Sequence, residues 1–263
     1  MSKSKIAPLV LFLLALATAG CSVLKSDTEP APRLTMIVGV DISGSFMKSG
    51  YYEDSLDFLA TYLYGHLNGL GGLEVPNVLF VSSIGGASAD EPKTFYPIQN
   101  FQNKSVEEIR ETLAKIFPQS VSNPFTDYNA FFEQCALMVR NKNLVLRPLS
   151  IVMLSDGKPD IRKEGLSAQA GETDFRSLVV KPLERLSRNI TIRLLYTDAV
   201  VGTNWQTLVP RQRVKVWTQD AEVMVSWKDP KILTPETPME EQTAFIAWVE
   251  DNVDFGVRAR RVD

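Results

Sequence analysis

Four runs of this chain are apolar over most of their length: LTMIVGV at 34–40, NVLFVSSI at 77–84, PLSIVMLS at 148–155 and NITIRLLYT at 189–197. A strand with one wet face alternates apolar and polar residues. A strand apolar throughout is covered on both faces, and helices between such strands supply parallel crossovers. Amphipathic stretches do fall between these runs. Leu56, Leu59, Ala60, Leu63 and Leu67 share one helical face. Val106, Ile109, Leu113, Ile116 and Phe117 share another, opened by Ser105 and Glu108 at capping-box spacing. Tyr128, Phe131, Phe132, Cys135, Met138 and Val139 make a third. The combination predicts an α/β fold, doubly wound, with a mostly parallel central sheet and helices on both faces. KTFYPIQ at 93–99 reads as one antiparallel edge strand, because Pro97 lacks a ladder donor. RVKVW at 213–217 reads as the last strand.

The remaining segments are less regular. DFRSLVVKPLERLS is helical in pattern but must kink or restart at Pro182. DPKILTPETPMEEQ reads as irregular, and Phe245, Trp248 and Val249 then mark a closing helix near 239–252. With 263 residues, 44% of them hydrophobic, the chain can fill one full-sized core or two small ones. The formal net charge is −3 and no long basic stripe runs along the sequence, which argues against nucleic acid as a partner. Arg258, Arg260 and Arg261 read as a solvated tail.

Residues 1–21 read as a targeting segment. Lys3 and Lys5 precede an apolar run from Ile6 to Ala19, followed by Ala19-Gly20-Cys21. This resembles the lipobox of bacterial lipoproteins, with Thr18 where that motif usually has leucine. The resemblance implies lipidation of Cys21, and Ser22 after it fits sorting to the outer membrane. Polar, proline-containing residues 22–33 read as a tether, residues 34–228 as the main domain and 229–263 as a C-terminal extension. Cys135 is then left without a partner, and its helical context reads as a buried core thiol.

In open α/β sheets, ligands bind beyond the carboxyl ends of the strands. Three polar groups collect there. Asp41, Ser43 and Ser45 follow the first strand at alternate positions, Asp156 follows the strand at 149–155, and Thr126 opens the helix before it. Singly, such residues are ordinary helix caps. Together they form a set of hard oxygen donors suited to a divalent cation such as Mg²⁺, Mn²⁺ or Ca²⁺. The sole histidine, His66, reads as a surface or helix-end residue, which makes histidine-based catalysis an unsuitable reading.

DISGS at 41–45, FTD with Thr126 and LSDG with Asp156 resemble, in order and spacing, the three loops of the von Willebrand factor A domain. Those loops build its metal-ion-dependent adhesion site. The resemblance runs from about Leu34 to Trp217. It implies that Ser43 and Ser45 bind the metal through their hydroxyls, that Thr126 joins directly or through water, and that Asp41 and Asp156 act through water or by orienting the hydroxyls. It further implies a partner protein whose Asp or Glu completes the ion's coordination, and adhesion rather than catalysis. The polar segment 160–175 would border the site and contribute to partner choice. GGASADEPK at 85–93 reads as a surface loop, and Asp127 as a helix cap.

Two alternatives follow from the same residues. Ser45-Phe46-Met47-Lys48 matches S-x-x-K of penicillin-binding enzymes, although Ser155-Asp156-Gly157 and Lys93-Thr94-Phe95 depart from the accompanying S-D-N and K-T-G. A metal-free, degenerate scaffold is the other. The favoured expectation is a non-enzymatic module in the cell envelope, lipid-anchored at the periplasmic face of the outer membrane.

Overall fold

Strand β1 (Thr35–Val40) is buried at all six positions, and its alternation divides it between two cores. Met36, Val38 and Val40 enter one apolar cluster, whereas Ile37 enters the other. This is the expected signature of a strand at the centre of a sheet covered on both faces. The structure is a computed structural model and describes residues 33–86, 91–119, 125–159 and 175–254. The targeting segment, the tether up to residue 32 including Cys21, most of the 160–175 segment and the arginine tail lie outside the described residues.

The main sheet has six strands in the order β4-β2-β1-β6-β7-β8. Strands β1, β2 (Val78–Ser83), β6 (Leu149–Leu154), β7 (Ile190–Thr197) and β8 (Val214–Asp220) run parallel to one another. Strand β4 (Tyr96–Pro97) lies at the edge, as Pro97 indicated, and pairs antiparallel with β2. A separate two-stranded ribbon joins β3 (Gly85–Gly86) to β5 (Phe125–Thr126). The fold is thus a mixed, mostly parallel sheet with one antiparallel edge, flanked by helices.

A four-residue helix, α1 (Gly44–Met47), follows β1. Helices α2 (Tyr52–Leu67) and α3 (Val106–Ile116) cover one face, and α4 (Tyr128–Asn141) with the short α5 (Lys181–Glu184) covers the other. The predicted capping box at Ser105 and Glu108 is formed, and Asp127 caps α4 by accepting from Ala130 N at 2.9 Å. The stretch around Pro182 restarts rather than kinks: a single 3₁₀ turn at 175–177 is followed by α5, with the proline in its first turn. Helix α6 (Ala199–Thr207), which no apolar period in the sequence marks, forms the crossover between β7 and β8. A further short helix, α7 (Ala221–Met224), follows β8. The closing helix α8 (Thr243–Asn252) buries Phe245, Trp248 and Val249 in the cluster that also holds Leu56, Leu59 and Leu63 of α2. Cys135 is fully buried and free, as its helical context indicated.

His66 departs from the surface reading. It ends α2 but is buried, with Nδ1 2.9 Å from Glu74 O and Nε2 3.0 Å from Asp254 Oδ2. Periodicity alone missed this because the carboxylate that makes burial tolerable lies 188 residues away.

Two features aim the strand ends. The chain starts at β1, runs outward through β2, then returns to the other side of β1 to lay down β6, so the order reverses between β1 and β6. Such a reversal opens a crevice at the carboxyl ends of the two strands. Gly39 lets α4 approach there: a Cβ would lie 2.7 Å from Phe131 Cζ and from Ile84 Cγ1. Among the described residues no helix is long and apolar enough to cross a membrane.

Candidate metal centre

Because Val40 is in register with Leu154, the next residues, Asp41 and Ser155, emerge side by side at the crevice. Asp41 N donates to Leu154 O at 2.9 Å, continuing the ladder by one residue. Asp41 is completely buried. Its Oδ1 accepts from Ser43 N at 2.8 Å, and its Oδ2 accepts from Ser155 Oγ at 2.5 Å. Since Ser155 gives its only proton to Asp41, the Tyr128 hydroxyl, 2.5 Å away, must donate to Ser155. Gly157 N supplies Ser155 Oγ with a second donor at 3.0 Å. The aspartate is thereby locked by neutral groups from β1, α4 and the β6 loop.

The turn held by Asp41 presents the two serines. Ser43 is buried, Ser45 exposed, and their Oγ atoms lie 3.1 Å apart. Ser43 also caps α1, accepting from Phe46 N at 3.4 Å. The cap and ligand readings are therefore compatible, because a hydroxyl oxygen has two lone pairs. Behind the turn, Phe46 is buried against Tyr52 and Tyr196, with ring centroids at 6.0 and 6.3 Å.

Asp156 is buried, and its Oδ1 accepts from Lys158 N at 3.1 Å. Gly157 turns the chain away with φ of 76°, in a space where a Cβ would meet Val201 Cγ1 at 2.8 Å. Its carbonyl accepts from Trp205 Nε1 at 2.8 Å, so α6 anchors this loop. Thr126 is buried and pairs with Gly85 in the small ribbon. Gly85 follows Ser83, the register partner of Val40, and Ile84 N donates to Val40 O at 2.9 Å. The ribbon therefore brings Thr126 to the same sheet end as Asp41. This corrects the surface-loop reading of 85–93: Gly85 and Gly86 are strand, and Lys93 Nζ returns to Gly85 O at 2.7 Å.

The electrostatics of the cluster are unusual for a protein interior. Burial pushes the Asp41 carboxyl up to about 6, the nearby Asp156 charge adds to the rise, and the Ser155 and Ser43 hydrogen bonds only partly oppose it. Among the described residues no lysine or arginine is one of the groups that act on it. Among the described residues no three His, Cys, Asp or Glu side chains converge as a ready metal set; the cluster is built mainly of hydroxyls. All-oxygen donors around an under-compensated buried carboxylate fit a hard divalent cation. Ser155 and Tyr128, which position Asp41, were not singled out from sequence. Their roles depend on the β1–β6 register, which the motif spacing does not state.

No family model matches the chain, and no curated protein does either. Among solved structures, the chain is similar to proximal thread matrix protein 1 from the mussel byssus at 11% identity. That match covers 74% of this chain and 46% of the other, with a TM-score of 0.44. It is similar to the manganese-loaded TRAP protein of Plasmodium vivax at 12% identity, over 76% and 73% of the two chains, with a TM-score of 0.44. It is also similar to the SpRpn10 VWA domain at 14% identity, over 75% and 95%, with a TM-score of 0.40. The chain thus spans less than half the length of the mussel protein.

Proposed function

We propose that the chain is a von Willebrand factor A-like binding module that captures an acidic side chain of a protein partner through a divalent cation. In this reading Ser43, Ser45 and Thr126 hold the ion through their hydroxyls, while Asp41 and Asp156 stand behind them as orienting groups. The bound ion supplies positive charge that neutral ligands leave largely unspent, which draws a partner's carboxylate. Asp41 fixes the turn through Ser43 N, and Ser155 and Tyr128 fix Asp41. The serines are therefore presented before any partner arrives, and little ordering cost remains at binding. Tethering through Cys21, in the cell envelope at the periplasmic face of the outer membrane, belongs to the same proposal. The reading assigns no catalytic step. As for S-x-x-K, α1 ends at Met47, so Lys48 lies outside the helix, and Ser45 Oγ faces Ser43 Oγ.

The single observation that carries the reading is the buried Asp41 carboxylate, held only by neutral donors beside a second carboxylate at the switch point of the sheet. The test is a thermal melt of the full chain titrated with Mg²⁺ and Mn²⁺ against an EDTA baseline. A ligand that binds only the native state adds about 2.7 kcal/mol at a hundred times its dissociation constant. A saturable rise in the wild type, absent in Ser43→Ala, is expected. Equal responses of the two proteins would overturn the reading.

A further inference from the structure

A second surface gathers charge from segments far apart in the chain. A cavity of about 560 Å³ is lined by Arg176, Lys181, Arg185, Arg211 and Arg213, together with Val179 and Glu184. A neighbouring cavity of about 500 Å³ shares Val179, Lys181 and Arg185 with it and adds Arg140, Leu137 and Glu133. The shared residues place the two cavities side by side along α4 and α5, and together they form a groove. Pro210–Arg213 leads directly into β8, so this part of the groove lies at the amino end of that strand, opposite the carboxyl end that carries Asp41.

Six cationic side chains line this groove against two carboxylates, in a chain whose net charge is −3. One of the two carboxylates is already engaged: Glu184 Oε1 accepts from Gln212 N at 2.5 Å and from Arg213 N at 3.4 Å. Lys181, Arg185 and Arg213 are exposed and make no ion pair among the described residues. Leu137 and Val179 are among the few large apolar side chains left substantially exposed, at 53% and 43%. Both lie in this groove.

We infer that the groove is a second docking site, and that its occupant is an acidic peptide segment of a partner protein carrying an apolar residue. Charge complementarity selects the anion, since the exposed cations Lys181, Arg185 and Arg213 repel any basic partner. Concavity favours a peptide over a flat membrane surface. The aliphatic lining, with Leu137, Val179 and Pro182 and no aromatic platform, favours it over single-stranded nucleic acid, whose bases stack on aromatic rings. The apolar residue of the segment seats against Leu137 and Val179 while its carboxylates meet Lys181, Arg185 and Arg213. The site is independent of the cation proposed above, so a protein holding its partner through both sites gains avidity without either contact being tight.

The experiment is fluorescence anisotropy of a labelled Glu-Glu-Leu repeat peptide with the full chain in EDTA, where the sheet-end site is not engaged. Binding is expected that weakens steeply with salt. It should fall about tenfold or more in Lys181→Glu/Arg185→Glu, and less in Val179→Ser, with the thermal melt unchanged because these side chains are exposed. Ser43→Ala should bind the peptide like the wild type, which separates this site from the metal-dependent one. No peptide binding by the wild type would overturn the inference. So would undiminished binding by the charge-reversed protein, or displacement of the peptide by a single-stranded DNA or by phosphatidylglycerol vesicles at equal or lower concentration.

Discussion

Two of the buried aspartates, Asp41 and Asp254, are provided for in opposite ways. Asp41, at the carboxyl end of β1, receives a backbone N–H and a serine hydroxyl, and its charged neighbour is another carboxylate. Asp254 follows α8. It forms an ion pair with Arg193, whose Nε lies 3.2 Å from Oδ1, lies 3.0 Å from His66 Nε2 and accepts from the Tyr62 hydroxyl at 3.1 Å. Burial alone would raise Asp254, but the His66 hydrogen bond and charge, the Arg193 guanidinium and the Tyr62 hydroxyl outweigh it and hold the carboxyl below its ordinary value. Arg193 in turn is tied to its neighbours, with Nε donating to Val253 O and Nη1 to Ser150 Oγ, both at 2.8 Å. The second cluster is complete in itself and clamps the chain after α8 to β6 and β7. Among the described residues the first has no cationic side chain, and that difference separates a structural lock from a site that suits an external cation.

The largest expected effect tests the lock. Asp254→Ala leaves the buried Arg193 guanidinium without its ion-pair partner, and breaking such a pair costs about 3–5 kcal/mol. Urea unfolding at neutral pH should report a loss of that size. A change below about 1 kcal/mol would mean that the cluster is better solvated than its geometry implies.

The pH dependence of the two aspartates has opposite sign. Asp41 holds its proton up to about 6 when folded, against an ordinary value of 3.8, so its contribution is fully present below 3.8 and is lost as pH rises through 6. Asp254 is depressed, so its contribution is present above 3.8 and is lost as pH falls through its lowered value. In metal-stripped protein, Asp41→Asn should therefore gain on the wild type across roughly pH 4 to 6, by up to about 3 kcal/mol. Saturating Mn²⁺ should erase or reverse that gain. Parallel stability curves for variant and wild type would remove the contrast on which the comparison rests.

The smallest effect distinguishes the two duties of Ser43. In metal-stripped protein, Ser43→Ala should cost only about 1 kcal/mol, the worth of a helix cap. The same variant loses the whole metal response proposed above. A loss several times larger without metal would place Ser43 in the fold rather than in the site.

Much of this architecture can be read from local pattern. The central strands announce themselves because both of their faces are apolar, and Pro97 marks the edge because it lacks a donor. The caps at Ser105 and Asp127 follow from short-range hydrogen bonding, which needs no knowledge of the rest of the chain. Helix α6 escaped this logic. Val200 is exposed, and Gly202 sits inside the helix where a Cβ would lie 3.0 Å from Thr218 Oγ1, so close packing on β8 rather than amphipathic period defines the element. The ribbon of Gly85–Gly86 with Phe125–Thr126 was equally hidden, since two-residue strands carry no periodic signal.

The oxygen donors at 41–45, 126 and 156 are a property of the sequence, because motif order and strand context are local facts. Which neighbours lock them is not: Ser155 reaches Asp41 only through the register of β1 against β6. The same holds for His66 and Asp254, and for the cations at 140, 181, 185 and 213. No stretch of the chain is basic enough to reveal that groove. Charges well separated along a polymer interact only once folding brings them within a few ångströms and removes the water between them.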